Sequence, residues 1–276
     1  MPGWWNWQTH RLEGAALERA YEFKSRSGHS NAWGTLIRCN TASNSILKGR
    51  RISSSLFYSH AKLFPTSSGP ELTPRTRLLT TISSLYTIRE REQAFRIVER
   101  AIARKSYPVR FFSEIFIQYS LFLGYPAMLD GLERLSAIRR ERKTRLITSR
   151  KRNAIARKGA RILRQIYGDQ TEKLIARLDK LEKGLGNRIT KDAYGAIMGR
   201  PGLPLADREI VNVVVLFIDG FEPQLYSHLR GAIRVGVKPR ILRSVLLLAA
   251  HIAARSPRRA IHMLNRIQQN EVRRSF

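Results

Sequence analysis

Residues 101–126, AIARKSYPVRFFSEIFIQYSLFLGYP, align without a gap on residues 232–257, AIRVGVKPRILRSVLLLAAHIAARSP, at a constant offset of 131 residues. Ala-Ile falls on Ala-Ile, Pro108 on Pro239 and Pro126 on Pro257. In each copy a helix ends at a turn, and a proline stands near the start of the next helix, where its missing N–H does no harm. The following apolar run then stops before another proline. A repeated helical hairpin at this separation predicts an all-α fold in which two related halves pack face to face.

The rest of the chain fits that frame. From about Leu78 onward, segments rich in Leu, Ile, Ala, Arg and Glu alternate with breaks at KSYP, GYP, GRPGLP, GFEP, VGVKP and RSP. Residues 1 to about 80 instead carry Ser, Thr, Gly and Pro clusters such as NTASNSI and PTSSGPELTP, with no sustained helical or strand period. The expected organisation is a disordered leader over 1–77, a first helical half over 78–132, a basic helical linker over 133–198 and a second helical half over 199–276.

Composition excludes several chemistries. The single cysteine, Cys39, rules out an internal disulfide, a CxxC redox pair and a thiolate zinc site. Among the histidines, His251 and His262 are separated by Pro257 and share no metal-ligand spacing, so neither a metal nor a cofactor is expected. The longest apolar stretches, VNVVVLFI and ILRSVLLLAAHIAA, are shorter than the roughly 20 residues of a membrane span. A soluble, cytoplasmic protein is the expectation.

The formal charge of +29 points toward anionic partners. Much of it sits in residues 133–164, where 13 basic residues face 2 acidic ones and no aromatic is present. Such a run is either a solvated helix face, a nucleic-acid contact or an anionic membrane contact. The lack of aromatics argues against stacking on single-stranded bases.

Residues 199–242, GRPGLPLADREIVNVVVLFIDGFEPQLYSHLRGAIRVGVKPRIL, hold the chemistry. Asp207 is placed to cap a helix that Arg208 and Glu209 open and that runs through Ile218. Gly220 ends it, and Pro223 opens the next. On that second helix Gln224 and His228 stand four residues apart, on one face. The pieces ADREIV, EPQLYSHLRGAIRVGV and PRILRSVLLLA resemble the carboxymuconolactone decarboxylase family, relatives of the alkylhydroperoxidase D proteins. RKGARILRQIYGD and KDAYGAIMGRPGLP are similar to that family's linker, so the likeness spans about residues 80–265.

The resemblance implies an alkylhydroperoxidase D-like helical bundle that assembles as a trimer or hexamer. It also implies a pocket in which a histidine and a carboxylate move protons on a small carboxylated lactone or related acid. Mapped by residue, Glu209 matches the helix-opening glutamate and His228 the histidine. Arg230 and Arg234, on the same helix, are candidates to hold substrate carboxylates, for which the planar guanidinium is suited. Where the peroxidase branch has a CxxC pair, this chain reads GFEPQLY, so thiol peroxidase activity is not expected despite the family's peroxiredoxin label. Each residue also has a plainer role available: His228 as a hydrogen-bonded structural histidine, Glu209 as a charge that complements the helix dipole. In the first copy Ile97 stands at the position of His228, so only one half keeps the proton donor. The competing readings are a basic nucleic-acid-binding helical protein using residues 133–164 and a catalytically silent, degenerate assembly protein.

The opening MPGWWNWQTHRLEGAALERAYEFKSRSGH has no period that a helix or strand could use. It resembles a translated leucine transfer-RNA gene. Codons for His10 to Ala16 close a stem around a GAG anticodon, those for Tyr21 to Arg26 close a T-arm, and those for Met1–Gly3 pair with those for Ser27–His29. Residues 35–77, Ser- and Arg-rich with a single acid, also suit a transit peptide. On the first reading, initiation is expected at an alternative codon near Leu72–Leu79, because no methionine lies between Met1 and Met128.

Overall fold

The computed structural model describes residues 72–140 and 152–274. Residues 1–71, which hold the transfer-RNA-like opening and most of the expected leader, and residues 141–151 of the basic run lie outside the described residues. Every regular element described is helical. The first half comprises α1 (Pro74–Thr87), α2 (Arg91–Ala103), α3 (Val109–Tyr119) and α4 (Gly124–Arg140). Between the halves come α5 (Arg152–Tyr167), α6 (Thr171–Leu181) and α7 (Leu185–Ile189), which runs on into a π-helical stretch over Thr190–Met198. The second half repeats the first as α8 (Leu205–Asp219), α9 (Glu222–Arg234), α10 (Pro239–Ile252) and α11 (Arg258–Arg274).

The 131-residue offset extends well beyond the two hairpins that first suggested it. Shifted by that amount, the start of α1 falls on the start of α8, and both ends of α2 fall on those of α9. The turns match as well. Arg89 (φ 68°) corresponds to Gly220 (φ 82°) and Lys105 (φ 55°) to Gly236 (φ 98°), so the same left-handed residue closes the same helix in each half. Glycine takes this conformation without steric cost, whereas Arg89 and Lys105 bring a Cβ into it.

Packing follows the same symmetry. α1 lies against α8, its own counterpart, while α10 lies against α1 and α3 against α8. These two central helices are buried nearly all round: every residue from Leu79 to Tyr86 and from Asp207 to Ile218 is buried. A helix apolar on all sides belongs in the middle of a bundle, and the VNVVVLFI run of α8 meets that demand. The linker folds back onto the second half. α5 packs Ile162, Leu163 and Ile166 against Tyr194 and Met198 of the π-helical stretch, and also contacts α9. Gly159 makes this approach possible, because a Cβ there would lie 2.0 Å from the carbonyl oxygen of Thr190.

Two local expectations change. α8 starts at Leu205 with Pro204 before it, so Asp207 is not the cap but a first-turn acid, held by Arg75 Nε at 2.6 Å. α1 begins at Pro74, capped by the Thr73 hydroxyl, so residues 74–77 are helical and Leu72 is buried.

A buried histidine–glutamate pair and the network behind it

The turn at Gly220 folds α9 back along α8, and that brings Glu209 and His228 together across 19 residues. His228 Nδ1 lies 2.7 Å from Glu209 Oε2, with Glu209 fully buried and His228 6% exposed. A carboxylate oxygen accepts, so the imidazole is the donor in this contact, through Nδ1–H. Gln224, expected on the same face as His228, is exposed, whereas His228 is buried. The edge of the His228 ring meets Phe122, with centroids 5.4 Å apart.

Behind the pair runs a chain of buried polar side chains drawn from both halves. Asn212, on α8, places Nδ2 3.4 Å from His228 Nδ1 and accepts a hydrogen bond from Gln118 Nε2 of α3 at 2.7 Å. Gln118 in turn accepts from Arg208 NH1 at 2.9 Å. Arg208 also donates NH2 to Glu114 of α3 at 2.8 Å, and Glu114 takes a second cation, with Arg200 Nε 2.9 Å from the same oxygen. Arg208 has no exposed surface. Burial pulls its pKa down, and the Glu114 carboxylate opposes that shift and keeps the guanidinium charged. Gln118 and the Arg200 carbonyl take further guanidinium hydrogens and offset part of the cost of so deep an ion pair, while Arg208 Nε is buried without a hydrogen-bond partner among the described residues.

On another side of Glu209 the hydroxyls of Tyr167 and Tyr194 lie 2.8 Å apart. Burial pushes Tyr167 up to about 12, with the negative charge of Glu209 adding to it, and Tyr194 is raised by burial first, then by its contact with Tyr167, with Glu209 adding least. Both stay neutral at physiological pH. Gly231 lets α5 close over this corner: a Cβ there would lie 2.5 Å from Ile166 Cγ2 and 3.4 Å from Glu209 Oε2. Glu209 Oε1 is buried without a hydrogen-bond partner among the described residues, leaving an acceptor free beside the histidine.

Of the four candidate residues, His228 and Glu209 are brought into contact. Arg230 and Arg234 are half-buried, and at about 100° per residue they project about 160° and 120° away from His228 around α9. The Arg234 guanidinium packs over the turn at Gly168. The sequence marks Arg208 only as a helix-opening residue and gives Glu114, Gln118 and Asn212 no place in a motif. A signal for two of them does exist: Glu114 and Gln118 stand four apart inside the apolar run FFSEIFIQYSLF, and polar groups on a buried face need partners. Among the described residues no group of three or more His, Cys, Asp or Glu side chains is placed to hold a metal.

Among the described residues, fold and site thus define a class, an all-helical double repeat with a buried histidine–carboxylate pair. Residues 187–262 match the family model described as Carboxymuconolactone decarboxylase family. A 92-residue stretch is 28% identical to 4-carboxymuconolactone decarboxylase of Acinetobacter baylyi, covering 33% of this chain and 69% of that protein. The chain is therefore carboxymuconolactone decarboxylase-like, and His228 and Glu209 both fall inside the matched segment.

Proposed function

We propose that the protein is a cytoplasmic, homo-oligomeric enzyme of the carboxymuconolactone decarboxylase type that acts on a small carboxylated lactone or related acid. The observation that carries this reading is the buried 2.7 Å contact between His228 and Glu209. Glu209 holds the imidazole in one tautomer and steadies the imidazolium that forms when Nε2 takes a proton. In decarboxylation the bond from the ring carbon to the carboxylate breaks, carbon dioxide leaves, and the electron pair stays on the conjugated lactone. His228 then delivers the Nε2 proton to that carbon, and its Nδ1–H stays on Glu209. General acid catalysis of this kind is worth roughly 10²–10⁴ in rate.

Arg230 and Arg234 enter the proposal as cations that attract an anionic substrate, which predicts a raised KM and an unchanged kcat in Arg230→Gln and Arg234→Gln. The test of the proposal is consumption of 4-carboxymuconolactone by the full chain. The parent should turn over, with His228→Ala slower by about 100-fold or more. A folded parent that leaves the lactone untouched, or a His228→Ala variant as fast as the parent, refutes it.

A further inference from the structure

The arginines of α5 take no part in the His228–Glu209 site, and their arrangement points to a second one. We infer that Arg157, Arg161 and Arg164 form a phosphate-binding row for duplex nucleic acid. They stand at i, i+4 and i+7 on α5, all three exposed, and so make one row about 10 Å long at 1.5 Å per residue. With Ala160 and Gln165 they line a cleft of about 540 Å³.

The row lacks the neutralisation seen elsewhere on this chain. Arg75 is paired with Asp207, Arg134 with Glu92 and Asp130, Arg200 with Glu114 and Arg259 with Glu222. No ion pair or hydrogen bond joins Arg157, Arg161 or Arg164 to another described residue, and α5 carries no acid in its whole length. Like charges at i, i+4 cost a few tenths of a kcal/mol, and a solvated helix commonly avoids that by interleaving glutamates. A multiply charged anion removes the repulsion, and the guanidinium fork matches phosphate oxygens two at a time.

Geometry selects among polyanions. A membrane-surface helix must offer an apolar face to the acyl chains, but α5 has spent its own on the core through Ile162, Leu163 and Ile166. A single-strand groove needs aromatic platforms, and none lines this cleft. What is left is a row of cations that follows a regular phosphate backbone without reading bases.

The experiment is fluorescence anisotropy of the full chain with a labelled DNA duplex of roughly 20 bp over a salt series, beside the triple variant Arg157→Gln/Arg161→Gln/Arg164→Gln. All three residues are exposed, so the variant keeps the core, which circular dichroism checks. Three lost phosphate contacts should flatten the slope of log K against log salt by about 2.7 and weaken binding by roughly 100-fold or more near 0.1 M salt. Lactone turnover should not change, which separates failure here from failure of the enzymatic reading. The inference is overturned by a parent that ignores the duplex at about 50 mM salt. It is also overturned by a triple variant with the parent's slope, by tighter binding to the matching single strand, or by a loss seen only with phosphatidylserine vesicles.

Discussion

The two halves share a backbone and differ in what they bury. At the second half's site α8 and α9 contribute Arg208, Glu209, Asn212 and His228, and α3 reaches across from the first half with Glu114 and Gln118. Shifted by 131 residues, the equivalent positions are half-buried Arg77, Leu78 and Ile97 with buried Thr81 on α1 and α2, and buried Val245 and Ala249 on α10. One copy is a polar network around a histidine–glutamate pair; the other has Leu, Ile, Val and Ala at four of the six positions and keeps only Arg77 and Thr81 as polar groups. The difference teaches that in this fold the site is not a property of a half. It needs the apolar α3 face to be polar at two positions while the equivalent α10 face is not.

The largest effect should come from breaking that cross-half contact. Glu114→Gln leaves the buried Arg208 guanidinium without its counter-ion, and unfolding in denaturant should show a loss of about 3–5 kcal/mol. Replacing both as Glu114→Met/Arg208→Met should recover a good part of it, because an apolar pair of similar volume leaves no buried charge between them. A Glu114→Gln protein as stable as the parent would mean that the network does not join the halves.

Next in size is an alkaline effect that reaches both halves. Tyr86 and Tyr119 in the first half, like Tyr167 and Tyr194 beside the site, are all raised above the ordinary tyrosine value, chiefly by burial. Between about pH 10 and 12 the unfolded chain releases these protons and the folded chain holds them, so stability is full below pH 10 and falls as pH rises. A buried tyrosine contributes at most about 1.4 kcal/mol per unit across that window. Tyrosinate absorbance that appears only together with unfolding checks it, and free titration of all the tyrosines near pH 10 in folded protein contradicts it.

A graft sharpens the comparison. Leu78→Glu with Ile97→His copies the pair into the first half, where Val245 and Ala249 offer no hydrogen bonds. We expect a loss of about 1–3 kcal/mol and no added turnover, since polar groups are being set against an apolar wall. Doubled turnover per chain would show that the pair alone suffices.

The smallest effect concerns the turns. Arg89→Gly and Lys105→Gly restore the residue that the second half uses at the same left-handed positions, and each should raise stability by about 0.5–1 kcal/mol. The reverse change, Gly236→Ala, has open space around the new Cβ, so any loss, about 1 kcal/mol, is backbone strain alone.

Much of this architecture is legible from particular residues. Gly220 and Pro223 mark the α8–α9 turn because glycine takes the left-handed conformation without steric cost and proline suits the first turn of a helix, and the repeat offset carries the rest of the topology. His228 and Glu209 are legible through a motif. Their surroundings are not, because Glu114 and Gln118 lie about 90 residues upstream and only tertiary packing brings them to Arg208 and Asn212. Asp207 misleads for a related reason: its partner, Arg75, is 132 residues away, and a local capping rule cannot see it.

The most direct measurement is lactone turnover by the full chain beside Glu209→Gln, with thermal unfolding recorded on the same samples. If Glu209 orients His228 for proton transfer, the variant stays folded and kcat falls at least about 10-fold with little change in KM. A folded Glu209→Gln protein with the parent's kcat would contradict the account, leaving the pair a structural contact inside the second half.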